Sequence, residues 1–103
     1  MNTKELDTRF TQRLLEQLHT AAGLGLDTAR MESDLQRLGG ARLLKGEIRR
    51  GRPTQLFDAL SQAGRTGLTP EALAGSSEFA ELFTDAEADF CFELLCEAGY
   101  YRT

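Results

Sequence analysis

The stretch NTKELDTRFTQRLLEQLHTAAGLG, residues 2–25, carries the pattern that decides the fold. Its large apolar side chains recur at every fourth position, at Leu6, Phe10, Leu14 and Leu18. Because residues four apart share one face of an α-helix, this spacing predicts a helix with a buried stripe. Asn2 is a favoured N-cap with Glu5 three positions later, and Gly23 and Gly25 predict the end of the helix.

The rest of the chain repeats this pattern in shorter segments between glycines. Further helices are predicted over residues 27–38, 41–50, 53–63, 69–74 and 84–98, with one or two turns around 76–83. Asp27, Thr69 and Thr84 are the predicted N-caps, and Pro53 and Pro70 are the predicted first helical residues. Three anchors, Phe79, Leu82 and Phe83, are expected to hold the turns between the last two helices.

Strands are not predicted anywhere in the sequence. The chain has no valine, a single isoleucine and no period-two run of β-branched residues. We therefore predict an all-α fold, a compact bundle of five or six short helices joined by glycine loops. With 103 residues the chain is predicted to form one helical domain, residues 1–103.

The composition indicates an ordinary intracellular domain. Hydrophobic residues make up 41% and charged residues 27% of the chain, which is typical of soluble globular domains. No apolar run approaches the length of a membrane span, and no secretory signal is recognisable, so we expect no membrane contact and a cytoplasmic location. Cys91 and Cys96 point about 140° apart on a helix, so they cannot bridge within it, and core packing is expected for both.

Charge is spread unevenly along the chain. The net charge is −4, but residues 42–52 hold five basic residues against Glu47, a local charge of +4. These basic residues are Arg42, Lys45, Arg49, Arg50 and Arg52. Residues 71–97 hold eight carboxylates and no basic residue, a local charge of −8. The two regions can attract each other within one chain or between two copies, and the sequence leaves both arrangements open.

The segment RRGRP, residues 49–53, has two interpretations. Its Gly-Arg-Pro core is the minimal pattern of an AT-hook, which places arginines in the DNA minor groove. Alternatively, Gly51 ends one helix and Pro53 begins the next. The single copy between two helical patterns favours the helix joint. A helix-turn-helix is also disfavoured, because the following segment PTQLFDALSQAG offers no positive charge to a base edge.

Signals for chemistry are weak. His19 is the only histidine and lacks nearby ligands, so no metal site is expected. The acidic residues of the last helix resemble a solvated face rather than catalytic carboxylates. Phosphate-loop and hydrolase motifs do not occur, so we expect no catalytic residue, no cofactor and no enzyme. Adjacent Tyr100 and Tyr101 are of a type favoured at interfaces, although one of them can also pack back on the bundle.

Residues 56–100, from LFDALSQAGRTGLTPEAL to CEAGY, resemble a small helical module of unknown function in bacterial hypothetical proteins. The module's pattern is G-R-x-x-L-T-x-E-x-L, then E-F-x-x-L-F-T-x-x-E, then G-Y. The matching positions are Gly64, Arg65, Leu68, Thr69, Glu71, Leu73, Glu78, Phe79, Leu82, Phe83, Thr84, Glu87, Leu95, Gly99 and Tyr100. The likeness extends over about residues 27–100. It implies a helical module in bacterial proteins, some of them related to mobile elements or defence, and no particular activity.

These observations favour a protein–protein interaction or self-association module, with a homodimer as one form. The candidate interaction residues are Arg42, Lys45, Arg49, Arg50, Arg52, Tyr100 and Tyr101. The alternative is a nucleic-acid-binding protein that uses the basic segment 42–52. Nucleic acid is the less favoured partner, because such domains usually carry a net basic charge.

Overall fold

The computed structural model describes residues 2–101, which form helices connected by short turns. The α-helices are α1 (Thr3–Gly23), α2 (Ala29–Leu38), α3 (Gly40–Arg49), α4 (Phe57–Gln62), α5 (Pro70–Ala74) and α6 (Asp85–Glu97). Two 3₁₀ turns cover Thr66–Leu68 and Ser77–Leu82. Residues 2–101 contain no strand, which confirms the all-α prediction, and no helix among them is both long and apolar enough to cross a membrane.

Helix α1 is the element on which the others assemble. It contacts α2, α3, α5 and both 3₁₀ turns. The predicted stripe is buried, at Leu6, Phe10, Leu14 and Leu18. The ring of Phe10 meets the edges of two aromatic anchors, with centroids 5.1 Å from Phe79 and 5.4 Å from Phe83. One apolar cluster therefore contains residues of the N-terminal helix and of the C-terminal part of the chain.

Three of the four predicted N-caps form as the sequence predicts. The Asn2 side chain accepts a hydrogen bond from the Glu5 N–H at 2.8 Å. Thr69 caps α5 with Pro70 at its first position, and Thr84 and Glu87 cap each other's backbone at the start of α6. The predicted cap of α2 is wrong by one residue. The N-cap of α2 is Thr28, although the Asp27 carboxylate still accepts from the Ala29 N–H at 3.2 Å.

Glycines end the helices through a shared hydrogen-bond pattern. At the end of α3 the Gly51 N–H donates to the Ile48 carbonyl at 2.9 Å, and the Arg52 N–H donates to the Glu47 carbonyl at 3.2 Å. This pair of bonds is the Schellman motif, and it needs the positive φ of 70° that Gly51 adopts. The same motif closes α1, α4 and α6, at Gly25, Gly64 and Gly99.

The predicted start of α4 at Pro53 is wrong, because the helix begins at Phe57. Thr54 is held instead by a carboxylate distant in sequence. Its N–H donates to Glu71 Oε2 at 2.7 Å, and its hydroxyl donates to Glu71 Oε1 at 2.8 Å. Since these bonds fix the backbone at Thr54 outside the helix, tertiary contact overrides the local proline signal.

The N-terminus of α3 packs closely on α1. Thr11 Oγ1 accepts from the Gly40 N–H at 2.8 Å, and Asp7 Oδ1 accepts from the Ala41 N–H at 3.2 Å. A Cβ atom on Gly40 would lie 2.7 Å from Cδ2 of Phe10, closer than such contacts occur. The glycine pair Gly39-Gly40 therefore does more than end α2, because Gly40 allows the two helices to touch.

Candidate interaction surfaces

An open groove of about 1160 Å³ lies among α2, α3 and the loop that follows α3. We call it the arginine groove. Its basic residues are Arg30, Arg37, Arg42, Lys45, Arg49, Arg50 and Arg52, and its carboxylates are Asp7, Asp34, Glu47 and Asp58. Seven basic side chains against four acidic ones leave the groove with an excess charge of +3.

All five basic residues predicted as an interaction patch line this groove. The sequence interpretation missed Arg30 and Arg37, which α2 adds from the opposite side. Their signal was present: both lie on the polar side of α2, away from the buried Met31 and Leu35. What the sequence did not reveal is that this polar side faces α3 across the groove.

Four of the basic residues are engaged by carboxylates of the same chain. Arg37 binds Asp34 at 3.1 Å. Glu47 receives both Arg50 at 3.0 Å and Arg52 at 2.7 Å, and the hydrogen bond from Arg52 lowers the pKa of Glu47. The RRGRP segment is therefore clamped to α3 in a helix-ending turn, without the extended backbone that an AT-hook requires.

Lys45 is the fourth engaged residue, and it connects the groove to α6. Its Nζ lies 3.5 Å from a carboxylate oxygen of Glu87 and 5.6 Å from the ring centroid of Phe83. Within the part of the chain that the structure describes, the basic segment and α6 are thus joined by a single ion pair. The remaining carboxylates of α6 take no part in this contact.

Three arginines of the groove have no ionic partner among residues 2–101. Arg30, Arg42 and Arg49 are exposed and form no ion pair there. An arginine guanidinium presents a planar fork of donors that matches a carboxylate or a phosphate with two hydrogen bonds. The groove therefore offers an anionic ligand three guanidinium groups that have no ion pair among residues 2–101.

A second surface consists of exposed aromatic rings at the end of α6. Phe92, Tyr100 and Tyr101 are 54%, 42% and 48% exposed, and we call them the aromatic patch. The Tyr101 ring centroid lies 5.2 Å from that of Phe92 and 5.0 Å from that of Tyr100. Within residues 2–101 only one other large apolar side chain, Leu24, is comparably exposed.

The tyrosine rings lie against glycines of neighbouring elements. A Cβ on Gly67 would lie 3.5 Å from Cε1 of Tyr100, and one on Gly75 would lie 3.5 Å from the Tyr101 hydroxyl. Partial burial raises the pKa of Tyr101. Both rings therefore pack on the bundle with one side and face solvent with the other, which combines the two arrangements that the sequence left open.

Phe92 was missed by the sequence interpretation. The predicted apolar face of the last helix was Phe90, Cys91, Leu94, Leu95 and Ala98. Of these Cys91 and Leu95 are buried, and the others are half-buried. At 100° per residue Phe92 points about 80° from the mean direction of Cys91 and Leu95, on the flank of the buried face. Exposure at a flank depends on the neighbouring elements, which sequence periodicity does not describe.

Carboxylates run beside the aromatic patch along α6. Asp85, Asp89, Glu93 and Glu97 are spaced four apart, and we call them the acidic row. All four are exposed and form no ion pair within residues 2–101, and α6 contains no basic residue. Because residues three apart on a helix are neighbours, the acidic row borders the row of Phe92 and Cys96.

The two cysteines differ in environment. Cys91 is buried, and burial raises the pKa of its thiol to about 12, with the carboxylates of Glu71 and Glu87 adding to the shift. Cys96 is exposed, so the prediction of core packing is wrong for this residue. The angle of about 140° between the two positions carries Cys96 away from the core side.

Glu71 is a buried carboxylate that the sequence interpretation treated only as a favourable charge near a helix N-terminus. It is fully buried and accepts both hydrogen bonds from Thr54, a residue that lines the arginine groove. Burial raises the pKa of Glu71, and the two bonds from Thr54 oppose that rise. Glu71 thus anchors one wall of the groove from inside the molecule.

Metal ligands are not assembled anywhere in residues 2–101: no three His, Cys, Asp or Glu side chains there are placed to share an ion. His19 instead lies with its Nε2 3.3 Å from Glu32 Oε1. No family model, curated protein or solved structure matches the chain. The resemblance to a bacterial helical module therefore stays a prediction.

Proposed function

We propose that this protein is a small helical interaction module that binds an acidic segment of a protein partner in the arginine groove. The observation that carries the proposal is the group of three exposed arginines, Arg30, Arg42 and Arg49, which have no ion pair among residues 2–101. They come from two helices that face one groove, so a single acidic segment can contact all of them.

The contrast between paired and unpaired arginines inside the groove supports this proposal. Glu47 forms ion pairs with Arg50 and Arg52, and Asp34 forms one with Arg37. These paired arginines shape the walls, whereas the unpaired ones are available to a ligand. Opposite charge on a partner would increase the association rate and determine its orientation more than it would increase the affinity.

Nucleic acid is the second candidate ligand, because the same arginine forks match phosphate oxygens. The net charge of −4 weighs against a polyanion, since the groove's excess of +3 is surrounded by a surface that repels it. A phosphate-binding groove also gives an affinity that falls steeply with salt. An A·T-rich duplex titrated at several salt concentrations is therefore a necessary second probe.

The proposal is tested with a short, fluorescently labelled, glutamate-rich peptide. Fluorescence anisotropy should show saturable binding to the wild-type protein. The double variant R42E/R49E should bind at least about tenfold more weakly. Its two new carboxylates repel the acidic peptide that the two guanidinium groups attract. The matched control is K4E/R65E, which changes the net charge equally at two exposed sites outside the groove.

The control should bind the peptide within about twofold of wild type. Equal loss in both double variants would mean that only overall charge matters, and the groove would not be the site. Absence of peptide binding by wild type would also overturn the proposal. Salt-sensitive binding of the duplex, lost in R42E/R49E, would replace the protein ligand by a nucleic acid.

We propose a bacterial cytoplasm as the setting, which follows from the resemblance and from the cysteines. Both cysteines are free thiols, as expected in a reducing compartment. Exposed Cys96 would be open to oxidation elsewhere.

A further inference from the structure

We infer that the acidic segment bound by the arginine groove is the aromatic patch and acidic row of a second copy of this chain. The inference rests on the proposed function, because it names the partner of the same groove. It assigns a role to the two exposed features of α6 that the proposed function leaves unused. The arginine groove of one copy would bind the aromatic patch and acidic row of the next copy.

Charge complementarity is the first support. The groove has an excess charge of +3 and three arginines without an ion pair within residues 2–101. The acidic row has four carboxylates that are likewise unpaired in that part of the chain. Each surface therefore carries the charge that the other lacks, and the three unpaired arginines and the acidic row all lie on α-helices.

The aromatic patch adds a second kind of contact for the arginines, namely stacking on aromatic rings. A guanidinium stacks on the face of an aromatic ring, and this contact is strongest where water is excluded. Phe92 lies beside Asp89, three positions earlier on the helix surface, so one arginine can reach a ring and a carboxylate together. Tyrosine and arginine are also the residue types most enriched among energetically dominant interface contacts.

The repulsion within the acidic row is not offset by any ion pair among residues 2–101. Like charges four residues apart on a helix repel, and α6 has no basic residue to offset them. The one ion pair between the basic segment and α6 within residues 2–101 is Lys45 with Glu87, and Glu87 does not belong to the row. Pairing among residues 2–101 therefore leaves the row uncompensated, and arginines from another copy would compensate it.

The two surfaces are separate, so one copy can use both at once. No residue of the aromatic patch or the acidic row lines the groove. Contacts between two different surfaces either close into a symmetric assembly, in which each copy gives one groove and one patch, or continue as a chain. In either case a copy that lacks one surface can still pair with a copy that lacks the other.

That property gives the test. R42E/R49E lacks the groove contacts and keeps the patch, whereas F92A/E93K lacks the patch and keeps the groove. Sedimentation velocity should show wild type gaining mass with concentration and each variant, alone, associating at least about tenfold more weakly. An equimolar mixture of the two variants should form a one-to-one complex, while K4E/R65E should associate like wild type.

A second readout avoids substitutions altogether. Cys96 lies one turn after Phe92, so its thiol should be labelled more slowly at concentrations where wild type associates. Unchanged labelling across those concentrations would contradict the inference, as would a mixture of the variants that stays monomeric. Circular dichroism of each variant shows that it is folded before it is compared.

Failure of the inference is distinguishable from failure of the proposed function. If wild type stays monomeric but its groove binds the glutamate-rich peptide, the groove takes an acidic partner other than this chain, and only the inference falls. If wild type neither associates nor binds the peptide, both fall.

Discussion

Two clusters of three aromatic rings have nearly the same internal spacing and opposite exposure. In the inner cluster Phe10 lies 5.1 Å from Phe79 and 5.4 Å from Phe83, and these rings are 0%, 0% and 9% exposed. In the aromatic patch the corresponding distances are 5.2 Å and 5.0 Å, and each ring is about half exposed. Ring-to-ring contact therefore does not by itself bury an aromatic cluster.

The difference lies in what covers the rings. The inner cluster is closed by α3, whose Gly40 lies against Phe10 and whose Lys45 lies over Phe83. The tyrosines of the patch are backed by Gly67 and Gly75. The inner cluster has thus already contributed its hydrophobic free energy to folding, whereas the patch still exposes part of its apolar surface to water.

The largest expected effect separates the two clusters directly. Phe10→Ala should lower the free energy of unfolding by about 3–5 kcal/mol, because it opens a cavity among buried rings. Phe92→Ala should lower it by less than about 1 kcal/mol, since the ring is half exposed. Urea unfolding of both variants measures the contrast. Comparable losses in the two variants would contradict this contrast and make the patch part of the packed core.

The next largest effect on stability is expected at Glu71, because its carboxyl group is buried. Glu71→Ala should lower the free energy of unfolding by about 2–4 kcal/mol, since both donors of Thr54 lose their acceptor in a buried site. Glu71→Gln retains an acceptor for the N–H and a donor for the hydroxyl oxygen. It should cost much less than the alanine substitution when both are measured by urea unfolding.

The pH dependence of stability in wild type and in Glu71→Gln reports the charge of this buried carboxyl group. Because the folded-state pKa of Glu71 is raised above its usual 4.5, its contribution to stability is present below that value and is lost as pH rises through the folded-state pKa. Wild type should therefore lose stability relative to Glu71→Gln as pH rises above 4.5. A difference between the two that stays constant with pH, or that changes in the opposite direction, would contradict the raised pKa.

The smallest effect concerns two glycines of one helix. Gly40→Ala should lower the free energy of unfolding by about 1–3 kcal/mol, because the new methyl group meets the ring of Phe10. Gly46→Ala should raise it by about 0.5–1 kcal/mol, since its Cβ makes only an ordinary contact and alanine favours the helix. Thermal unfolding shows whether the two signs are opposite. The same sign in both would mean that α3 does not press on the inner cluster at Gly40.

The sequence predicted those parts of the fold that depend on local chemistry. The caps at Asn2, Thr69 and Thr84, and the helix-ending glycine at Gly51, form as expected because their bonds span only a few residues. The start of α4 was not predictable, since it depends on a bond between Thr54 and Glu71, which are 17 positions apart. Nothing in the local sequence shows that a glutamate in LTPEAL will reach that far.

The candidate surfaces were predictable only in part, for the same reason. The density of charge in residues 42–52 was visible in the sequence, and those side chains do line one groove. The contribution of Arg30 depends on how α2 packs beside α3. The exposure of Phe92 depends on which side of α6 its neighbours leave open. Both are properties of packing, which periodicity within a single helix cannot supply.

The first turn of α3 has a consequence for how the molecule folds. Its N-cap, Gly39, has no side chain to accept a hydrogen bond, and the acceptors for the Gly40 and Ala41 N–H groups are Thr11 and Asp7 of α1. The helix that carries Arg42 and Arg49 of the groove therefore completes its own backbone bonding only after it docks on the long helix, and isolated helices of this length are marginal in water. Groove and core should form and melt together in one cooperative step, so a ligand held in the groove should raise the melting temperature of the whole protein.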